Sequence, residues 1–281
     1  MSTLVPTLFT GLVDDASLLP PSLTSLPDVV AKYGEHRAAW YAGLLGPLLV
    51  PATMIGAPMP TPDLPVALVG DVAVSAVPVA VEKLRAAGAV VVHLEAAVAR
   101  RGEDPQPGLA DLRTLAGQDK DLEVYAEIPL SWGLLAALDT VAEARAEGLR
   151  IAPKFRVGGL AGELFPTPVE LAAVICACRD RELPFRLAAG LRHAIRHTDP
   201  ETGFTHHGFL NVLAAAVLAV GGGEVAEVAE ALAATHPVPL VELTRDRRGN
   251  PRPLFVGFGV ANVVEPLTEL VRLGLVDGGY G

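Results

Sequence analysis

Eight short apolar runs recur along the chain, and this recurrence constrains the fold more than any other feature of the sequence. Each run ends in or near a glycine, a proline or a charge, and none alternates cleanly between apolar and polar residues. Near-continuous apolar strands are typical of parallel sheets that are buried on both faces. The predicted strands span residues 7–13, 47–52, 66–70, 90–95, 122–128, 151–157, 184–190 and 254–259.

Helical patterns separate most of these predicted strands. They span residues 26–45, 77–87, 109–117, 132–148, 167–181, 208–220 and 264–273. Strands that alternate with helices through 281 residues predict an α/β fold, a single (β/α)8 TIM-like barrel that forms one domain over residues 1–281. A doubly wound open sheet is the rival fold.

Two regions fit a regular barrel poorly. Between the second and third predicted strands, the proline-rich residues 53–65 leave no room for a full helix, so the barrel is expected to be irregular there. Between residues 220 and 254 the chain adds a second helical pattern, 224–234, and a turn-like segment, 243–252.

The charge balance excludes several classes of partner. A net charge of −10 argues against binding to nucleic acid or to an anionic membrane surface, which requires a basic face. The apolar run 209–220 is too short to span a bilayer, and the N-terminus lacks the pattern of a signal peptide. We therefore expect a cytoplasmic protein, in which Cys176 and Cys178 are free thiols because two helical positions so spaced cannot easily bridge.

Charged residues cluster at the predicted strand ends, where the active sites of such barrels lie. Asp14 follows the first strand, Glu95 ends the fourth, Glu127 lies in the fifth, and Lys154 and Arg156 share one face of the sixth. We expect Glu127, Lys154 and Arg156 to converge, together with His193 from the loop after the seventh strand, on one opening with apolar walls.

Lys154 is the most informative single residue because it lies inside an apolar strand, whereas the other lysines lie on amphipathic helices or in a polar turn. A buried lysine whose pKa is lowered can act as a Schiff-base nucleophile or as a proton donor. The alternative is a structural ion pair with Glu127, which would raise the lysine pKa and keep it inert.

Glu95 and Glu127 are a candidate pair of catalytic carboxylates, since they lie on neighbouring predicted strands. Paired carboxylates perform acid and base chemistry when their environments separate their pKa values. Asp14 is a further catalytic candidate. Alternatively, each glutamate neutralises Lys154 or Arg156.

Arginines and glycines near the same rim suggest an anionic ligand. Arg156 and Arg192 could hold a carboxylate or a phosphate. Glycines at strand ends can present backbone N–H groups to an anion, although close packing alone also explains them. The candidate glycines are Gly158, Gly159, Gly257 and Gly259.

Residues 191–207 contain four histidines. His193 and His197 are four residues apart, and we predict that His193 assists catalysis and that His197 contacts the substrate. No glutamate lies between these two histidines, as it does in the helical zinc-protease pattern, and Pro200 ends any helix shortly after them. No cofactor and no metal ligand set are predicted, although a divalent metal that also uses Asp14 remains possible.

Several segments resemble a bacterial family of barrel proteins whose reaction is uncharacterised. The matching segments include LVDDASLLPP (12–21), PKFRVGG (153–159), AAGLRHAIRH (188–197) and LFVGFGVANVVEP (254–266). The resemblance implies a TIM-like barrel and leaves the reaction open. Relative to that family, Arg192 replaces a histidine, and residues 260–262 replace a polar stretch that contains cysteine.

These features predict an enzyme of lyase or isomerase type that acts on a small carboxylate or phosphate at the C-terminal mouth of the barrel. Lys154 would be its nucleophile or acid/base group. One alternative is a metal-dependent hydrolase built on His193 and His197, and another is a non-catalytic ligand-binding barrel. The apolar segments 208–220 and 224–234 could also form a contact in a homo-oligomer.

Overall fold

The computed structural model describes residues 4–20, 24–55 and 62–278. Ten strands lie in these residues: β1 Val13–Asp15, β2 Leu45–Pro51, β3 Pro65–Gly70, β4 Val90–Ala97, β5 Glu123–Glu127, β6 Ile151–Arg156, β7 Phe185–Ala188, β8 His197–Thr198, β9 Thr205–His206 and β10 Phe255–Val260. Eight of them are parallel and close into a barrel in the order β1-β10-β7-β6-β5-β4-β3-β2. The closed parallel barrel confirms the predicted fold class and excludes the open sheet.

Helices alternate with the barrel strands. The α-helices of the described residues are α1 Leu26–Ala38, α2 Val77–Ala86, α3 Gln106–Gln118, α4 Leu134–Ala146, α5 Pro168–Asp180, α6 Phe209–Val220, α7 Val225–Ala233, α8 Pro237–Arg245 and α9 Val264–Arg272. Helix α5 begins as the sequence suggests: Thr167 and Glu170 form a reciprocal capping box, and Pro168 occupies the first turn.

The first strand lies later than predicted. Residues 7–9 form a short 3-10 helix instead, and Gly11 follows with a positive φ of 60°. That left-handed turn, which glycine adopts without strain, redirects the chain so that the strand begins at Val13, which pairs with Phe258 of β10.

Two helix predictions also needed correction. Helix α1 ends at Ala38, and the chain passes through a short 3-10 helix, Ala42–Leu44, into β2, so the predicted α-helix does not extend over residues 39–45. Part of the predicted turn at 243–252 belongs to α8, which begins at Pro237; the preceding residue, His236, caps it by accepting a hydrogen bond from the Val238 N–H.

Between β2 and β3 the described residues contain a 3-10 turn, Ala52–Met54, and residues 56–61 of the proline-rich stretch lie outside the described residues.

The apolar helix α6 is covered within the chain. Ten of its twelve residues are buried, and it packs against α5, α7, α8 and β10. Packing inside the chain therefore accounts for its composition, and the homo-oligomer stays a prediction.

Cys176 and Cys178 are both free and buried on α5. Within the described residues, no helix combines the length and the apolar character that crossing a membrane requires.

Candidate active site

Ion pairs link three neighbouring barrel strands through Lys154. Its Nζ donates to Oε2 of Glu95 on β4 at 2.8 Å and lies 2.8 Å from Oε2 of Glu127 on β5. Glu127 in turn accepts from Nε of Arg156, at the end of β6, at 3.0 Å. The structure therefore brings these four predicted residues together.

Arg186 on β7 extends the same network across the barrel. Its Nε lies 3.2 Å from Oε1 of Glu95, and its Nη2 pairs with Oδ2 of Asp14 on β1. Its guanidinium also lies over the ring of Tyr125, 5.1 Å from the centroid. His93 Nε2 is 3.2 Å from the same Glu95 oxygen. The carboxylate of Glu95 thus contacts the cations of Lys154 and Arg186 and the imidazole of His93.

The network balances its own charges. Three carboxyl groups alternate with three basic side chains along one path, in the order Asp14, Arg186, Glu95, Lys154, Glu127 and Arg156. Isolated ions in a barrel core would be costly to bury, whereas paired and hydrogen-bonded ions are tolerated. The charged residues that the sequence predicts at the strand ends therefore also neutralise one another inside the barrel. We refer to this set of six residues as the ion-pair chain.

Two glycines make room for the inner end of the ion-pair chain. A Cβ on Gly46 of β2 would overlap Oδ1 of Asp14. A Cβ on Gly257 of β10 would lie 2.8 Å from the Leu12 carbonyl oxygen and 3.3 Å from Arg186 Nη2. Glycine is required at both positions because no real side chain tolerates such approaches.

The pKa values in the outer half of the ion-pair chain follow from its pairing. Burial opposes the ionisation of Glu95, but Lys154, His93 and Arg186 together hold its pKa well below the ordinary value. Burial likewise opposes the charge on Glu127, and Lys154 and Arg156 lower its pKa. Burial disfavours the ammonium of Lys154, yet the two glutamates raise the lysine pKa. All three groups are therefore charged at neutral pH.

Asp14 differs from the two glutamates. Burial raises its pKa, and Arg186 only partly offsets this effect. Its Oδ1 atom is buried and has no hydrogen-bond partner in the described part of the chain. Burial also raises the pKa of the nearby Tyr125, so both groups are pushed toward their neutral forms.

Asp14, His93 and Glu95 could in principle hold a metal ion, since one ligand atom from each lies within 4.8 Å of the others. Their carboxylates already face cations, however: Arg186 contacts both Asp14 and Glu95, and Lys154 contacts Glu95. A divalent ion would add two charges to a balanced set or displace the guanidinium. The donor set therefore fits arginine better than a metal.

A large cavity lies at the outer end of the ion-pair chain. It has a volume of about 1000 Å³, and both Glu127 and Arg156 line it. The segments after β4, β5 and β6 and the first turns of α4 and α5 form its walls. Gly133, with a positive φ of 84°, turns the chain into α4 at the cavity edge. The cavity thus lies at the C-terminal end of the barrel strands, where barrel enzymes bind substrates.

His193 and His197 lie elsewhere, so the expectation that His193 joins the same opening is not met. Nδ1 of His193 is 2.7 Å from Glu269 of α9, and this contact directs the loop toward that helix. The rings of His193 and His197 are 4.4 Å apart, and His206 stacks 5.2 Å from His197. His193 and His197 line a separate cavity of about 520 Å³.

The other residues predicted to bind an anion, Arg192 and the glycines at the strand ends, have contacts within the protein that account for their positions. Arg192 is exposed and pairs loosely with Glu265 at 3.4 Å. A Cβ on Gly158 would approach the backbone of Gly190, one on Gly159 would meet Leu164, and one on Gly259 would meet Leu49. Close packing thus explains these glycines, as it explains Gly257. Their roles in ligand binding, like that of Arg192, stay predictions.

Several residues at this site were not predicted. Arg186 is buried inside the apolar strand β7, and the reasoning that identified Lys154, a lone cation in an apolar run, applies equally to it. Arg100, Arg101, Ser131 and Trp132 line the cavity from loops after β4 and β5. The sequence offers no periodic signal that would place such loop residues.

Comparisons with known proteins identify no family. No family model matches the chain, and no curated protein does. A solved dihydropteroate synthase from Xanthomonas albilineans, in complex with indole-2-carboxylic acid and 6-chloroguanine, is similar over 95% of this chain and 92% of that chain, with 14% identity and a TM-score of 0.37. That level of similarity carries no argument about activity. Membership of the bacterial family stays a prediction, while the barrel that the resemblance implies is present.

Proposed function

We propose that the protein is a lyase or isomerase that moves a proton on a small anionic substrate bound in the cavity. The observation that carries the proposal is the position of Glu127, whose carboxylate joins the buried Lys154 to Arg156 and also lines the cavity. Lys154 and Arg156 lower the pKa of Glu127, which makes it a weaker base than an unpaired glutamate. A substrate anion that pairs with Arg156 would draw away one of these two cations and raise the basicity of a carboxylate that already borders the cavity.

In this proposal Glu127 removes a proton from a substrate carbon that is activated by a neighbouring carbonyl or carboxylate. The proton passes to a Glu127 carboxylate oxygen, and the electron pair left on carbon is delocalised into the activating group. An isomerase returns the proton to a different carbon or face, whereas a lyase expels a leaving group from the adjacent carbon. Arg156, whose guanidinium lines the cavity, pairs with the substrate anion.

Lys154 acts as the charged partner of Glu127 in this scheme. Its ammonium is shared by two carboxylates and its pKa is raised, so a free amine for Schiff-base formation is scarce at neutral pH. Treatment with borohydride in the presence of carbonyl compounds tests this point. A covalent adduct on Lys154 would assign the nucleophilic role to the lysine instead.

Proton exchange with solvent tests the function itself. A panel of 2-oxo acids, hydroxy acids and their phosphate esters is incubated with the protein in D2O, and the loss of C–H signals is followed by NMR. At least one compound should exchange, and Glu127→Gln should slow that exchange by about 100-fold or more. The matched control is Glu147→Gln, an exposed glutamate that pairs with Arg113 on the outer surface. Equal exchange by the wild type and Glu127→Gln would refute the role of Glu127.

A further inference from the structure

The cavity beside Glu127 is walled mainly by apolar side chains. They come from the segment after β5, the first turn of α4, the segment that leads into α5 and α5 itself, and include Leu130, Leu134, Leu135, Leu164, Phe165 and Val174. Binding cavities of this size that are mostly apolar, with a few polar groups, suit organic ligands of drug size. A substrate of only two or three carbons would leave most of this wall in contact with water.

Exposed apolar residues at the cavity edge strengthen this point. Trp132 is 64% exposed and Leu135 is 59% exposed, and both line the cavity. A contiguous apolar patch that is rimmed by charges typically marks a ligand groove. Covering a tryptophan and a leucine with an apolar ligand body removes that area from water, which is favourable at about 25 cal/mol per Å².

One aromatic wall of the cavity is held in place before any ligand binds. Phe165 stacks on Phe204 with ring centroids 4.7 Å apart, and the edge of His206 packs against it at 4.9 Å. Phe165 therefore offers a fixed surface to a planar or branched group. A preorganised surface costs little conformational entropy when the ligand binds.

Charged groups of both signs line the cavity, namely Arg100, Arg101, Arg156, Glu127, Glu163 and Glu170. Glu127 is paired with Lys154 and Arg156, and Glu170 accepts hydrogen bonds from Thr167, so two arginines face one remaining glutamate and an anionic ligand would restore the balance. These two are Arg100 and Arg101, and neither forms a salt bridge with a carboxylate of the described residues. Nη1 of Arg101 donates to the Leu130 carbonyl at 2.9 Å, which holds its guanidinium at the wall. Ser131 also lines the cavity, and its buried Oγ has no hydrogen-bond partner among the described residues. A buried hydroxyl without a partner is costly unless a ligand supplies one.

From these observations we infer that the substrate is an amphipathic anion. Its carboxylate or phosphate group contacts Arg101, Arg156 and Ser131, and its aromatic or branched aliphatic body packs against Trp132 and Phe165. The inference rests on the proposed function, because it names the substrate class of the same cavity. It adds the requirement that the substrate carries an apolar body, which proton transfer alone does not demand.

Binding measured without turnover tests the inference. The probes are 4-phenylbutyrate, 2-phenylethyl phosphate, butyrate and 4-phenylbutan-1-ol, which separate the anionic group from the apolar body. Calorimetry on the wild type gives affinities, and tryptophan fluorescence on the wild type and on Trp132→Phe reports whether the ligand reaches Trp132. One of the two phenyl anions should bind about tenfold or more tightly than both butyrate and the alcohol, and its fluorescence change should be lost in Trp132→Phe.

Variants localise the two parts of the ligand. Arg101→Ala should weaken binding of the phenyl anion by about tenfold and leave the alcohol unchanged. Leu135→Ser should weaken both phenyl ligands. Matched controls are Arg113→Ala, a salt-bridged arginine on the outer surface, and Val238→Ser on α8, which is 50% exposed.

Two outcomes would overturn the inference: no detectable binding of either phenyl anion, or affinities that are equal to those of butyrate or the alcohol. Normal binding by both cavity variants would also overturn it. Failure of the proposed function has a different signature, since a phenyl anion would then bind while Glu127→Gln left proton exchange unaffected. Conversely, exchange of short acids that depends on Glu127, without binding of phenyl anions, would refute only the amphipathic substrate.

Discussion

The Nζ atom of Lys154 lies 2.8 Å from Glu95 and 2.8 Å from Glu127, so one ammonium bridges the carboxylates of two adjacent strands. Glu95 belongs to the buried interior, whereas Glu127 also faces the large cavity. Through this lysine, the charges in the barrel core determine the ionisation of a carboxylate at the candidate active site.

Removing the bridging cation should destabilise the fold. Lys154→Met substitutes an uncharged side chain of similar length and leaves the buried Glu95 and the partly buried Glu127 without their shared partner, at a cost on the order of 3–5 kcal/mol in the free energy of unfolding. Urea denaturation measures this value. The control is Lys32→Met on α1, where an exposed lysine should contribute close to nothing. Equal stability of the two variants would show that the buried bridge is not formed.

Acid should weaken the protein through the same carboxylates. Their pKa values are lowered in the folded state, so the unfolded chain binds more protons, and the stability that Glu127 contributes is lost as the pH falls below the ordinary range for glutamate. Asp14, whose pKa is raised, contributes with the opposite sign. Comparing the pH dependence of the free energy of unfolding between the wild type and Glu127→Gln therefore isolates the contribution of the Glu127 carboxylate.

The measurement is urea denaturation from about pH 7 down to about pH 3. The fall in stability with acid should be smaller in Glu127→Gln, because that variant lacks a group with a lowered pKa. An identical pH dependence in both proteins would contradict the assignment of a lowered pKa to Glu127.

Gly46 should couple to Asp14. Gly46→Ala places a methyl group against Oδ1 of Asp14 and should destabilise the fold, whereas the same substitution in an Asp14→Ala background removes the collision. The double-mutant cycle should show a coupling free energy of about 1–3 kcal/mol. Gly34→Ala is the control: this glycine lies inside α1 with open space around it, and alanine there should stabilise by about 0.5–1 kcal/mol. Additive effects in the cycle would contradict the tight approach.

Divalent metals should not stabilise the protein. Arg186 and Lys154 already pair with Asp14 and Glu95, the two carboxyl groups that could ligate a metal together with His93 among the described residues, so Zn²⁺ or Mn²⁺ would have to displace a bound cation. Thermal melts of untagged protein with and without each metal test this. A saturable rise in Tm that disappears in His93→Ala would show that a metal displaces the guanidinium. A rise that disappears in His197→Ala would instead support the hydrolase alternative at the histidine loop.

The barrel and half of the site could be predicted because both depend on local patterns. Apolar runs at regular intervals determine the strands, and lone charges within or just after those runs fall at one end of a parallel barrel. That reasoning grouped Glu95, Glu127, Lys154 and Arg156, which the structure brings together. Asp14 lies inside β1 and joins them through Arg186, a link that was not predicted from the sequence. The same reasoning would also have placed Arg186, a lone arginine inside the apolar run 184–190.

The histidine loop could not be placed by the same means. The position of His193 depends on its contact with Glu269, which is 76 residues away on a helix after the last strand. No periodicity encodes such a contact, because it arises from the path of an irregular loop. The first strand was misplaced for a similar reason, since the turn at Gly11 interrupts an otherwise continuous apolar run.

Nitrogen-15 NMR of the lysine side chains reports directly on whether Lys154 is an ammonium shared by Glu95 and Glu127. The Nζ signal that is missing in Lys154→Arg belongs to this residue, and it should remain in the charged form through neutral pH because the pKa of Lys154 is raised above the ordinary lysine value. Glu127→Gln should lower that pKa. A neutral amine at Lys154 near pH 7 would contradict the account and restore the lysine as a nucleophile.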